Sequence, residues 1–448
     1  MKNSFFCKKK KIIINGVLPT LIACGIAIRL YLIYKLPLWH DEAFSIYAAK
    51  RSWVNIFTGN ADPVHLPGYY LFLKIWLFFS NHLFWARISS LLVFIINSFL
   101  LFKIGSKAKN RSFGLILIFL YVFSGYFIIF DWQIRMYAGV ITLILLSLWF
   151  LKNKNWYLFA LANTIGLFYD YSFWWYFFPI LIFAAYQVLR HKLYNLPKTR
   201  YWTKILSFLS ISFLLILIWL PFFIVHLKTG LAGITWINRH SHPLFLTSFF
   251  FGSHQNYFLV PIFIAIAGLG LHLFFKTKKE LMLSIILFSS GLAFISSLII
   301  TFLFSPVFHL RSLQICSLGL LFLIAIAIHW FWQKKHYYLV LIFSAIITIN
   351  FFFTASLLFT NPGFLLIQFF PWKNVLLNIE NPPKEILFRE TKKLPTPLLI
   401  WGLKYTLDGK ESLFSKPIPY KRISFISPAK KESCYLLSNS ILEIYACD

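Results

Sequence analysis

Two adjacent carboxylates, Asp41 and Glu42, stand in Leu38-Trp39-His40-Asp41-Glu42-Ala43, just past the first long apolar stretch. Before residue 371 the chain has six acidic residues: Asp41, Glu42, Asp62, Asp131, Asp170 and Glu280. A carboxylate at a membrane face can act as general base toward an acceptor hydroxyl, or orient it. Arg87, Arg135 and Arg311 each lie near an end of an apolar segment. Their guanidinium forks suit a phosphate, whose leaving charge needs cationic donors. His65, Tyr69, Asp131 and Tyr137 are neighbouring candidates for holding substrate. His40, Asp41, Asp62 and His65 could offer oxygen and nitrogen donors to a divalent metal, at a spacing that matches no defined metal motif. No Gly-rich phosphate loop occurs.

Each candidate has a plainer role open to it. Asp41 could cap a helix over 42–50, and Glu42 could support that cap. Asp62, before Pro63, could start a turn. Arg87 could anchor lipid headgroups. Asp131 and Arg135, four apart, could form a helical ion pair. Asp170 could be structural or face the acceptor.

The elements that position these residues follow from composition. Of 448 residues, 59% are hydrophobic and 20% aromatic, with mean hydropathy +0.72. Uncharged runs such as 205–225 and 281–304 are long enough to cross a hydrocarbon core, which takes ~20 helical residues. The chain therefore reads as a polytopic α-helical membrane protein. Its net charge of +29 does not indicate nucleic acid, because Lys and Arg gather in short loops between spans, as the positive-inside rule expects.

Placing 8–11, 103–111, 152–154, 190–204, 276–279 and 334–335 in the cytoplasm predicts eleven spans. They run roughly over 12–34, 85–102, 113–130, 136–151, 156–170, 172–189, 205–225, 257–275, 281–304, 313–331 and 337–359. The first reads as an uncleaved signal anchor with its N-terminus inside. The segment 69–79 is short and contains Lys74, so it is expected to lie on the outer leaflet with Trp76 at headgroup depth. This scheme places five of the six carboxylates outside and only Glu280 inside. Residues 1–370 form one membrane domain. Residues 371–448 form a small extracytoplasmic α/β segment, with strand-like runs at 385–389, 422–426 and 441–445. Of five cysteines, Cys434 and Cys447 share that segment and could pair or stay free. No metal-type cysteine spacing is present.

The motifs resemble those of the GT-C superfamily of membrane glycosyltransferases, in particular protein O-mannosyltransferases and lipid A aminoarabinose transferases. Asp41-Glu42 is similar to the family's acidic pair in the first outer loop. His65-Leu66-Pro67-Gly68-Tyr69-Tyr70 looks like its His-Pro-Pro segment before a Tyr-rich amphipathic helix, with Leu66 in place of Pro. Ala86-Arg87-Ile88 resembles the start of the next span. Gln133-Ile134-Arg135-Met136-Tyr137 resembles Glu-x-Arg-x-Tyr, with Gln133 replacing the acid and Asp131 expected to supply the charge. His309-Leu310-Arg311-Ser312 is similar to the late Arg-Tyr motif, with Ser312 replacing Tyr. Pro371-Trp372-Lys373 resembles bacterial members. Motif-level similarity covers the first ~140 residues and layout the remainder.

The resemblance implies an inverting transferase in a bacterial inner membrane. It would move a sugar from a polyprenyl-phosphate donor to an acceptor outside the cytoplasm: a protein, lipid A or a glycan. Asp41, with Glu42, would be catalytic. Arg87, Arg135 and Arg311 would bind the donor phosphate. His65, Tyr69, Asp131 and Tyr137 would bind substrate. The resemblance fixes no cofactor and leaves a divalent metal possible, because relatives differ in their need for one. A lipid-linked sugar flippase, or an oligosaccharide ligase or polymerase, is the alternative. A flippase would want polar residues at mid-membrane depth, whereas the span centres here are nearly free of charge.

Overall fold

In a computed structural model the described residues are 2–360, without 63, 195, 196, 198, 225, 227–258, 278, 279, 305, 306, 309 and 310; beyond them, four strands are described. For residues 2–15 and the strands this covers the backbone alone. The chain opens with α1 (Lys2–Lys35), followed by three short helices, α2 (His40–Ala49), α3 (Trp53–Phe57) and α4 (Pro67–Leu77). Next come α5 (Leu83–Ala108), α6 (Arg111–Val122), α7 (Gly125–Phe130), α8 (Tyr137–Lys152) and α9 (Trp156–Tyr169). The bundle continues through α10 (Trp174–Leu193), α11 (Thr199–Ile216), α12 (Val260–Lys276), α13 (Leu281–Leu303), α14 (Gln314–Gln333) and α15 (Tyr337–Thr360).

Local chemistry sets several of the starts. Asn110, Asn155 and Glu280 accept backbone N–H groups of α6, α9 and α13, satisfying donors that a first turn leaves unpaired. Pro67 opens α4 where its missing N–H costs nothing. Leu, Ile and Phe fill the interiors, and their apolar faces close on one another around α5, α6, α8 and α14.

Seven helical segments are long and apolar enough to cross a membrane: Gly16–Lys35, Leu83–Ala108, Tyr171–Leu193, Thr199–Ile224, Leu281–Leu303, Gln314–Gln333 and Tyr337–Thr360. The protein is an α-helical membrane protein. The expected spans at 113–130, 136–151, 156–170 and 257–275 correspond to shorter elements, of which α6 has 12 residues, α8 has 16, α9 has 14 and α12 has 17. At 1.5 Å per residue each falls short of a ~30 Å core. The 113–130 stretch breaks at Phe123 and Ser124, where α6 ends and α7 begins.

The expected outer-leaflet segment is α4. Tyr69, Tyr70, Leu73 and Leu77 form its buried side, while Phe72 and Ile75, with Phe78 and Phe79 beyond its end, stay exposed. It packs tightly on α9, since a Cβ on Gly68 would come within 2.5 Å of the Phe168 carbonyl oxygen.

Beyond residue 360, β1 (Glu385–Glu390), β2 (Arg422–Phe425), β3 (Cys434–Ser438) and β4 (Leu442–Cys447) form one sheet in the order β2-β1-β4-β3. Only β1 and β2 pair in parallel. The helical part of the expected α/β segment and its contact with the outer face lie outside the described residues.

Candidate functional site

Asp41 lies in the first turn of α2, with Trp39 at the N-cap. The cap contact comes from the neighbouring acid, because the Trp39 backbone N–H donates to Glu42 Oε2 at 3.1 Å. Asp41 is thereby left for contacts outside the helix. Its Oδ2 accepts from Arg311 Nη1 at 2.8 Å, and His40 Nδ1 lies 3.4 Å from Oδ1. Arg135 Nη1 reaches the Asp41 backbone oxygen at 3.5 Å. Burial pushes the Asp41 carboxyl up, but the guanidiniums of Arg135 and Arg311, with His40, outweigh it and hold the group well below the ordinary carboxylate range. The side chain keeps 23% of its surface exposed. Asp41 is therefore an accessible, permanently ionised carboxylate between two cations.

Glu42 and Arg87 form a second, closed pair. Both side chains are fully buried. Arg87 Nε donates to Glu42 Oε1 at 2.8 Å, and its Nη2 pairs with Oε2. The remaining donors reach the carbonyls of Ile33, Leu36 and Pro37 at 3.1, 2.6 and 2.7 Å. Those carbonyls end α1, so Arg87 caps it. The Ile134 N–H also donates to Glu42 Oε1, at 3.1 Å. This buried hub ties α1, α2, α5 and the 131–136 turn together. It leaves Arg87 no fork for a phosphate and Glu42 no open face for chemistry, against the expectation for both.

Asp131 also turns inward. It is fully buried and pairs with Arg29 Nη2 at 3.0 Å, while Arg29 stacks over the Phe94 ring. The expected substitution of Asp131 for the acid replaced by Gln133 is not formed, nor is a pair with Arg135. Gln133 is itself buried, donating to the Ile129 carbonyl. Asp62 accepts from the Tyr70 hydroxyl and, at 2.7 Å, from the Val64 N–H.

Arg135, itself buried, joins several of the candidate residues. Its Nη1 donates to Ser45 Oγ at 3.1 Å, and its Nη2 to His65 Nε2 at 3.1 Å and the Tyr137 hydroxyl at 3.5 Å. Its Nε, though buried, has no protein partner. His65 Nδ1 lies 3.0 Å from Asp170 Oδ2, and Asp170 Oδ1 accepts from the Ser172 N–H at 2.9 Å. Burial alone would push Asp170 up. Its hydrogen bonds with His65 and Ser172 outweigh that and lower it.

A narrow cleft of about 10 Å³, room for about one water, is lined by Tyr69, Phe72, Ser89, Ser90, Val93, Arg135, Ala138, Gly139 and Tyr169. The Tyr69 hydroxyl is buried there without a hydrogen-bond partner. Burial pushes this phenol well up, so it remains a donor. Phe72, on the rim, is exposed.

The structure thus brings Asp41, His65, Tyr69, Arg135, Tyr137 and Arg311 into one cluster and excludes Glu42, Arg87 and Asp131 from its open face. Sequence reasoning missed Ser45, the His65–Asp170 contact and Arg29. Only Arg29 carried a local signal, as a lone cation near the end of an apolar span. A divalent metal does not fit the suggested donors. Asp62 is taken up by Tyr70 and Val64, His65 by Asp170 and Arg135, and two guanidiniums crowd Asp41. Among the described residues no group of three metal-type side chains occurs. No family model matches the chain, and no curated protein matches it significantly.

Proposed function

We propose that the chain is a membrane glycosyltransferase that moves a sugar from a polyprenyl-phosphate donor to an acceptor at the extracytoplasmic face, with inversion. The observation that carries this reading is the accessible Asp41, whose carboxylate pairs with Arg311 and whose backbone oxygen meets Arg135, a residue that lines the cleft. The unpartnered Tyr69 hydroxyl and Arg135 Nε can donate to phosphate oxygens, and Arg311 can follow the charge that develops on the leaving group. Asp41 faces the sugar and orients the incoming nucleophile. So strongly acidic a carboxyl is a weak base, which favours the orienting role over proton abstraction. Tyr137 holds Arg135 in place.

The topology that goes with this reading has eleven spans. The seven long helices and the four shorter ones, α6, α8, α9 and α12, make that number. Flanking turns, such as α7 after α6, add the missing length. The odd number puts the lysine-rich N-terminus inside and residues 371–448 outside, in a bacterial inner membrane.

Vesicles holding the full chain and a labelled polyprenyl-phosphate sugar separate the reading from a flippase. A transferase removes the label from the lipid onto an acceptor. Label that crosses the bilayer still joined to its lipid would overturn the proposal.

A further inference from the structure

Transfer to an alcohol requires a proton acceptor, and Asp41, clamped by two guanidiniums, serves that step poorly. A better-built base stands beside it. Arg135 Nη2 lies 3.1 Å from His65 Nε2. A guanidinium has only hydrogens to offer, so Nε2 accepts and the ring proton sits on Nδ1. That proton points at Asp170 Oδ2, 3.0 Å away. Asp170 is 2% exposed and is fixed by the backbone N–H and hydroxyl of Ser172. The imidazole keeps 24% of its side-chain surface exposed. A partly open imidazole, backed by a buried carboxylate that fixes its tautomer, is the arrangement of a general base with its orienting group.

Resting on the transferase reading above, we infer that His65, oriented by Asp170, is the catalytic base, and that the acceptor is an alcohol hydroxyl rather than a phosphate. Arg135 holds the Nε2 lone pair in the empty site. A donor phosphate competes for that guanidinium and releases Nε2 toward the acceptor. The acceptor O–H bond then breaks and its proton moves to Nε2. The acceptor oxygen bonds the anomeric carbon. The bond from that carbon to the phosphate oxygen breaks, and its electron pair leaves on the polyprenyl phosphate beside Arg135. Asp170 stabilises the imidazolium, which passes its proton to water. A phosphate acceptor is already ionised and would have no use for this dyad.

The test uses the purified full chain, with polyprenyl-phosphate sugars extracted from cells that lack the protein as donors and the envelopes of those cells as acceptors. His65→Ala is expected to lower kcat by roughly 10²–10⁴-fold with little change in the KM for donor, and imidazole is expected to restore at least about tenfold of it. Asp170→Asn is expected to lower kcat without responding to imidazole, because an amide can donate to Nδ1 and favours the wrong tautomer. The sugar is expected on an alcohol oxygen of the product. A His65→Ala enzyme at the wild-type rate, or a loss that imidazole leaves untouched, overturns the dyad. Sugar recovered on a phosphate overturns the acceptor class. If His65→Ala does not accumulate, Asp170→Asn decides: a wild-type kcat overturns the dyad and a loss at unchanged KM supports it. Wild-type enzyme that transfers nothing overturns the transferase reading itself.

Discussion

Asp41 and Glu42 are chain neighbours with opposite fates. Asp41 stays at the surface between two cations, while Glu42 is sealed into a pair with Arg87. Asp41→Asn removes the negative charge but keeps the shape, so transfer is expected to fall ~10²-fold or more while the amount of inserted protein stays the same. Turnover assays beside membrane-fraction blots check this. Glu42→Gln leaves a buried guanidinium uncompensated and is expected to cost about 3–5 kcal/mol, seen as a lower unfolding temperature in detergent. The pH dependence follows from the sign of the Asp41 shift. Its folded pKa lies below the ordinary carboxylate range, so the stability gained from its pairs is complete above the unfolded pKa and is lost only as pH falls through the lower, folded value. Unfolding temperatures measured from neutral to mildly acidic pH should show no loss that Asp41→Asn removes. At this scale the sequence revealed which residue types could do chemistry but not which faced outward. Arg87, Arg135 and Arg311 look alike in the chain. Their partners separate them, since Arg87 is used up by Glu42 and the last carbonyls of α1 while Arg135 reaches Ser45, His65 and Tyr137, and partners depend on which face of each element packs.

His65, Arg135, Asp170 and Arg311 lie in turns between helices, and close helix contacts fix where those turns meet. Gly68 lets α4 lie against the Phe168 carbonyl of α9, and Gly139 leaves room for the Tyr169 hydroxyl. Both contacts border the cleft. Gly68→Ala is expected to push α4 from α9, destabilise the fold by about 1–3 kcal/mol and weaken donor binding. Thermal unfolding and the KM for donor check it, and an unchanged KM would show that α4 does not shape the cleft. Hydropathy made the helices legible, and the amphipathic α4 as well. Their true lengths were less so, because a run such as 113–130 remains apolar across the break between α6 and α7. The partnership of His65 with Asp170 spans 105 positions, and no local spacing encodes it.

Across the whole molecule the proposed eleven-span topology divides the basic loops and the acidic residues by side. The Asp41 cluster lies among the loops assigned outside, while Glu280 pairs with Lys152, both in loops assigned inside. Alkaline phosphatase fused after Asn153 is expected to be inactive, and after Thr360 active, because eleven crossings put these points on opposite sides. The reverse pattern would place the Asp41 cluster in the cytoplasm and contradict an extracytoplasmic site. The central claim, transfer from a lipid-linked sugar through Asp41, is tested most directly by lipid mass spectrometry on cells lacking the protein, complemented with wild type or with Asp41→Asn. A polyprenyl-phosphate monosaccharide is expected to accumulate in the deletion and the Asp41→Asn cells and to fall with wild type, its mass identifying the sugar. The same lipid pool in all three would contradict the account.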